Sequence, residues 1–337
     1  MELVKRLCDT YGPSGREDNI RKIIESNIQK YCKKIEVDRL GNLIAHVRPK
    51  GAGKAKRGNG DKIMFCAHMD EIGLIITHID KNGFLRFTNV GGIFPERILF
   101  ERVIFENGTI GVIGVETKRE TPKPAYLDNM FIDIGAKNKE EAQTMVRIGD
   151  IAAFYQQSVN INKRLSAKAL DDRIGCYCLI ETMKRIKSNK DDLYFVFSVQ
   201  EEVGLRGART GAYAIAPKYA IAVDVTITGD IPESPKMDVS IGKGVAIKVK
   251  DSAFIGHPLI NDKLVSYARK MKIPYQLEIL ERGTTDAAII QVVKEGALSG
   301  VLSIPTRYVH STNEVCDFAD VEATIKLLTC ICEKGLE

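Results

Sequence analysis

A chain of 337 residues with 44% hydrophobic and 28% charged side chains has room for two domains, or for one large α/β core carrying an insertion. That composition excludes a disordered or fibrous protein, and no run reaches the ~18–20 apolar residues of a membrane span. The net charge of +5 comes from dispersed basic residues that are not interleaved with aromatics, which argues only weakly for a nucleic-acid partner and does not demand one. MELVKRLCDT lacks the apolar stretch of a signal peptide. None of the eight cysteines forms a CxxC pair. A cytoplasmic protein with reduced, buried thiols is the expectation.

In chain order, Ser14-Gly-Arg-Glu17 has capping-box spacing. Ile20, Ile23, Ile24, Ile28 and Tyr31 follow at helical intervals. EVDRLGNLIAHV and DKIMFCAHMD read as strands. PKGAGKAKRGNG between them misses the GxxxxGK[ST] spacing of a phosphate loop, and no helix follows it, so it reads as a solvated hairpin loop. From about 83 to 160 the runs are short and strand-like: GFLRFTNV, RVIFE, TIGVIGV, MFIDIGA and DIAAFYQQ. Asn107-Gly108 marks a hairpin, and KNKEEAQTMV is one helical interruption. This region reads as a small β-rich domain. From about 165 an α/β pattern returns. LDDRIGCYCLIETMKRI is a helix opening on acids. LYFVFSVQ, YAIAVDV, VAIKV and VLSIPTRYV have the continuous apolar character of strands buried on both faces. Val321, Ile325, Leu328 and Cys332 recur at helical spacing.

Ligands in open α/β sheets bind beyond the carboxyl ends of the strands, and several core strands here end in metal-competent side chains. IMFCAHMD ends in His68 and Asp70, FVFSVQEE in Glu201 and Glu202, and SIPTRYVH in His310. Asp224 lies near the end of AIAVDV, and Asp171 and Asp172 open a helix. Asp172 reads as a cap, and His46, His78 and His257 as structural. Two imidazoles and several carboxylates without a thiolate suit Zn²⁺, Co²⁺ or Mn²⁺ in a hydrolytic site. So many ligands fit two ions ~3.5–4 Å apart that share a carboxylate. Asp70, two residues after His68, is placed to accept the other imidazole N–H. Strand alternation would aim Glu201 and Glu202 oppositely, unless the backbone turns there.

AHMDEIG (67–73), KALDDRIG (168–175), SVQEEVG (198–204), AVDVT (222–226) and IPTRYVHS (304–311) resemble the M42 family of dinuclear metallo-aminopeptidases, which includes the tetrahedral TET enzymes. YGPSGRE (11–17), DRLGNL (38–43) and TDAA (285–288) extend the resemblance, in order, over nearly the whole chain. It implies an α/β fold: a phosphopeptidase-like α/β/α sandwich catalytic domain made of 1–75 and 165–337, with a small β-rich, PDZ-like dimerisation domain inserted at 76–164. By the same resemblance His68, Asp171 and Asp224 hold one ion, and Asp171 bridges to a second that Glu202 and His310 complete. Glu201 is the general base, and Asp70 the acid behind His68. Two divalent ions per subunit, peptide substrates and a homododecamer built from dimers are implied, without nucleic-acid or membrane partners. Three departures touch no ligand: Thr284 after Gly283 in place of a second glycine, Thr312 in place of proline, and Val-Glu-Thr-Lys after GVIG in place of Pro-Pro-His.

The expected reaction is hydrolysis of the N-terminal peptide bond. The alternative is another dinuclear amidohydrolase, an acylase, deacetylase or carboxypeptidase, on the same scaffold. A non-enzymatic scaffold is disfavoured because all six positions (His68, Asp171, Glu201, Glu202, Asp224, His310) are filled. A glycan hydrolase using the paired glutamates is disfavoured because adjacent residues do not readily flank one bond at ~5–9 Å.

Overall fold

The computed structural model describes residues 1–50, 60–116, 126–234 and 236–337. Most of the Gly/Lys-rich loop, 51–59, and the end of Val-Glu-Thr-Lys, 117–118, lie outside them. The large sheet is built around parallel neighbours. Lys62–His68 lies between Asp192–Ser198 and Tyr219–Thr226, and the latter pairs in parallel with Leu298–Arg307. The register sets His68 opposite Ser198 and Asp224 opposite Ser303. Parallel strands all point the same way, so their carboxyl ends share one edge.

Helices cover both faces because successive strand residues point to opposite sides. Phe65, Phe195 and Leu302 pack with Leu179 and Leu328 in one cluster. Met64, Cys66 and Val196, one residue out of phase, pack with Ala208, Ala212 and Ile290 in another. The helices Leu170–Arg185 and Phe318–Lys334 lie on the first face, and Arg206–Ile215 on the second. All eight cysteines are unpaired; seven are buried and Cys32 is half-buried.

The strands Gly73–Ile79, Leu85–Val90, Arg102–Phe105, Ile110–Val115, Met130–Asp133 and Ile151–Phe154 close into a barrel. It has its own core, including Leu74, Phe87, Val103, Ile132 and Phe154. At the expected hairpin Gly108 adopts φ +87°, and Thr109 N–H donates to Asn107 Oδ1 at 3.0 Å. The far edge of the β-rich region differs from its texture. Val159–Ile161 pairs with Arg164–Ala167, which pairs with Glu314–Asp317 of the large sheet. Short alternating strands carry no local mark of which sheet they join; long-range pairing decides it. The capping box also differs. Glu17 turns to Gly15 N–H at 2.7 Å, and the Ser14 hydroxyl leaves for Asp70 at 2.6 Å.

Asp320, in the first turn of the last helix, accepts Gly242 N–H and Gly244 N–H, both at 2.6 Å. It thereby fastens the segment that follows Tyr219–Thr226. Burial pushes its carboxyl up to about 6, against those two bonds. An acid raised on folding binds more protons in the native state, so its contribution to stability falls as pH rises from about 4 to about 6. The fall amounts to roughly 3 kcal/mol. Asp320→Asn is expected to flatten this part of the stability profile, read from urea midpoints at pH ~4 and ~7. Parallel profiles in wild type and variant would count against the assignment.

Candidate active site

The sequence ends three of the core strands in ligand side chains; the backbone then decides where they aim. After Ser198, Gln200 takes φ +55° and the chain turns. Both glutamates thereby leave the alternation of the strand. Asp70, fully buried, fixes the turn: its carboxylate accepts Glu201 N–H at 3.0 Å and Glu202 N–H at 3.2 Å. It also accepts the Ser14 hydroxyl. His68 Nδ1 lies 3.1 Å from the Asp70 carbonyl and 3.4 Å from its carboxylate. Burial works to raise the Asp70 carboxyl, but His68, Ser14 and the Glu201 N–H hold it below the usual carboxylate range.

With Nδ1 engaged, His68 turns Nε2 inward, 3.0 Å from Asp171 Oδ1 and 4.0 Å from Asp224 Oδ1. The other Asp171 oxygen, Oδ2, lies 3.3 Å from His310 Nε2, which is 3.4 Å from Glu202 Oε1. Two groups of three result, His68–Asp171–Asp224 and Asp171–Glu202–His310. In each, candidate ligand atoms lie within 4.8 Å of one another, and Asp171 belongs to both. Glu201 belongs to neither; its Oε2 stands 3.9 Å from His68 Nε2. Asp172 is more than a cap. One oxygen accepts Gly175 N–H and the other accepts His68 N–H, both at 3.1 Å. His46 is bonded to Asp192 at 2.7 Å and stacked on Tyr194, in keeping with a structural role.

The barrel reaches this site. A Cβ on Gly91 would come within 3.0 Å of Glu202 Oε2, and one on Gly92 within 2.8 Å of His310 Nδ1. Only glycine permits so close an approach. Arg97 reinforces it by donating to the Val309 carbonyl at 2.6 Å.

Charge is badly out of balance at the site. Burial pushes the carboxyls of Asp172 and Asp224 well above the usual range, and repulsion adds to it, from Asp224 on Asp172 and from Asp171 on Asp224. Burial does the same to Glu201, only partly relieved by His68. Burial opposes the charged form of His310, yet Glu202 and Asp171 outweigh it and push the imidazole up to about 12. Among the described residues no Arg or Lys is ion-paired with Asp171, Glu201, Glu202 or Asp224. Buried carboxylates in such excess are costly unless a cation joins them. Imidazole and carboxylate donors without thiolate fit borderline divalent ions.

Sequence reasoning brought His68, Asp70, Asp171, Glu201, Glu202, Asp224 and His310 to one edge, and the structure assembles all seven. It missed what surrounds them. Ser14 was assigned to a cap. Asp286, within TDAA, accepts the Ser198 hydroxyl at 2.6 Å and the Cys66 thiol at 3.3 Å. Glu314 accepts two backbone N–H groups of the site. The available signal was an acid standing beside apolar residues in the buried run Glu-Val-Cys.

Two candidate ligand triads that share one aspartate, at the carboxyl edge of a parallel sheet, form a possible metal-binding cluster of the kind metal-dependent hydrolases use. The chain belongs to the M42 peptidase family, whose model, described as M42 glutamyl aminopeptidase, matches residues 41–327. It is 37% identical to the lysyl aminopeptidase of Pyrococcus furiosus, over 99% of this chain and 96% of that one. Aminopeptidase APDkam598 from the archaeon Desulfurococcus kamchatkensis superposes with a TM-score of 0.93 at 39% identity, covering 99% of this chain and 94% of its own. The TET1 peptidase of Pyrococcus horikoshii, which can assemble into a tetrahedron or a large octahedral shell, superposes with a TM-score of 0.88 at 35% identity, covering 99% of each.

Proposed function

We propose that this chain is a metal-dependent aminopeptidase that removes N-terminal residues from peptides, with Glu201 as general base. The observation that carries the reading is Asp171, whose two oxygens lie 3.0 Å and 3.3 Å from the Nε2 atoms of two different histidines. His68, Asp171 and Asp224 would hold one divalent ion, and Asp171, Glu202 and His310 a second, with Zn²⁺, Co²⁺ or Mn²⁺ suited to the donors. Bound there, such ions supply an acidified water and a polarised scissile carbonyl.

The remaining work falls to the protein. Glu201 takes a proton from the attacking water and delivers it to the departing amine. Asp70 keeps Nδ1 of His68 engaged, so that Nε2 remains the free donor. The backbone turn at Gln200 separates the neighbouring glutamates into ligand and base.

The catalytic unit is 1–75 with 165–337 by the family resemblance, and by strand pairing the large sheet also takes in Val159–Ile161. The inserted region, 76–164 by the family resemblance and a barrel over Gly73–Phe154 by strand pairing, is the dimerisation unit of a homododecamer; the shells formed by the Pyrococcus horikoshii relative support self-association. Among the described residues no helix is long and apolar enough to cross a membrane, and a cytoplasmic location belongs to this proposal.

The test is activity after chelation, with metals restored singly, on a panel of aminoacyl anilides and N-acyl amino acids. Metal-dependent cleavage of anilides alone is expected. Turnover of N-acyl amino acids without any anilide cleavage would replace this reading with the acylase one.

A further inference from the structure

We propose that Glu314 is a positioning residue that holds the second metal-ligand triad in register; this rests on the two-ion reading above. Glu314 opens the strand Glu314–Asp317, pairs with Ala167 across the sheet, and is 2% exposed. Its Oε2 accepts Asp171 N–H at 2.9 Å and its Oε1 accepts His310 N–H at 2.8 Å. One rigid carboxylate therefore spans the backbones of the shared ligand and of a ligand that belongs only to the second triad.

Neither N–H has a place in regular structure. Asp171 has non-helical angles, φ −74° and ψ 106°, and His310 lies at φ +60°. Buried N–H groups need partners, and Glu314 provides both. The pattern recurs around the site. Asp172 accepts His68 N–H, and Asp70 accepts the N–H groups of Glu201 and Glu202. The backbone N–H groups of His68, Asp171, Glu201, Glu202 and His310 are thus each held by a buried carboxylate. Glu314 alone joins two ligands that arrive from different segments of the chain.

The chemistry of substitution follows. Glutamine keeps one acceptor oxygen and presents an NH₂ donor to the other N–H. Aspartate is one methylene shorter and reaches at most one of the two. Neither change touches a ligand atom.

The experiment is calorimetric titration of metal-free protein with Zn²⁺, for wild type, Glu314→Gln and Glu314→Asp, together with kcat and KM at several Zn²⁺ concentrations. Wild type is expected to take up two ions. In Glu314→Gln the ion completed by His310 should bind ~10–100-fold more weakly, and the other, which meets Glu314 only through Asp171, should lose less. The kcat should fall more than KM, and added Zn²⁺ should restore it; Glu314→Asp should lie between. A merely structural role would give no selective loss of one ion and no rescue. Wild-type stoichiometry and affinity in both variants would overturn the proposal while leaving the two-ion reading intact. Failure of both variants to fold would overturn it as well, by making Glu314 a fold residue. A wild type that takes up no Zn²⁺ would overturn the two-ion reading, and this proposal with it.

Discussion

Glu201→Gln is expected to keep both ions and lose ~10²–10⁴-fold in kcat, the usual range for removing a positioned proton carrier. The substitution preserves shape and leaves the Glu201 N–H bond to Asp70 in place, because that bond belongs to the backbone. Glu201 is outside both triads, so ion uptake should be unchanged. What disappears is a group able to take a proton. Glu202→Gln provides the contrast. Its Oε1 lies 3.4 Å from His310 Nε2 within the second triad, so its loss should appear first as weaker binding of one ion. Metal content by atomic absorption, beside single-turnover rates, separates the two outcomes. Near wild-type turnover in Glu201→Gln would remove the base assignment, and loss of an ion there would make Glu201 a ligand.

Removing the ions is expected to lower stability strongly. A ligand at a thousandfold excess over its Kd stabilises the native state by roughly 4 kcal/mol per site. Two sites in a chain of this length correspond to a fall in Tm on the order of 10 °C. The penalty should grow with pH. Asp172, Asp224 and Glu201 have carboxyls raised by burial, and His310 has its imidazole raised, against burial, by Glu202 and Asp171. Each raised group makes the metal-free native state bind more protons than the unfolded chain, so stability falls as pH rises. Asp70 and Asp171 are shifted the other way. They are ionised in both states above pH ~4 and add no slope there. Calorimetry of chelated and metal-loaded protein at pH ~6 and ~8 reads the effect. An unchanged Tm after verified metal removal would show that cations do not relieve the buried charge.

That seven candidate site residues share one edge was legible in the sequence because each announces itself locally: a charged or imidazole side chain placed where an apolar run stops or a helix opens. The strands of the large sheet were legible for the same reason, through continuous runs such as IMFCAH. Ser14 was misread because a capping box and a serine bound elsewhere have the same spacing; its real partner, Asp70, is 56 residues away. Asp172 was half read: the bond to Gly175 is local, and the bond to His68 N–H spans 104 residues.

The sequence by itself determined which candidate ligand residues gather at one sheet edge, since parallel strands entering one core must end on one side and each side chain there has a fixed chemistry. Tertiary structure alone decided that Val159–Ile161 joins the large sheet, that the Gly91–Gly92 backbone presses on Glu202 and His310, and that Glu314 reaches Asp171 across 143 residues. The physical reason is that a buried N–H requires an acceptor without specifying which one. The acceptor is chosen when distant segments pack together, and nothing in the local pattern of either segment names the other.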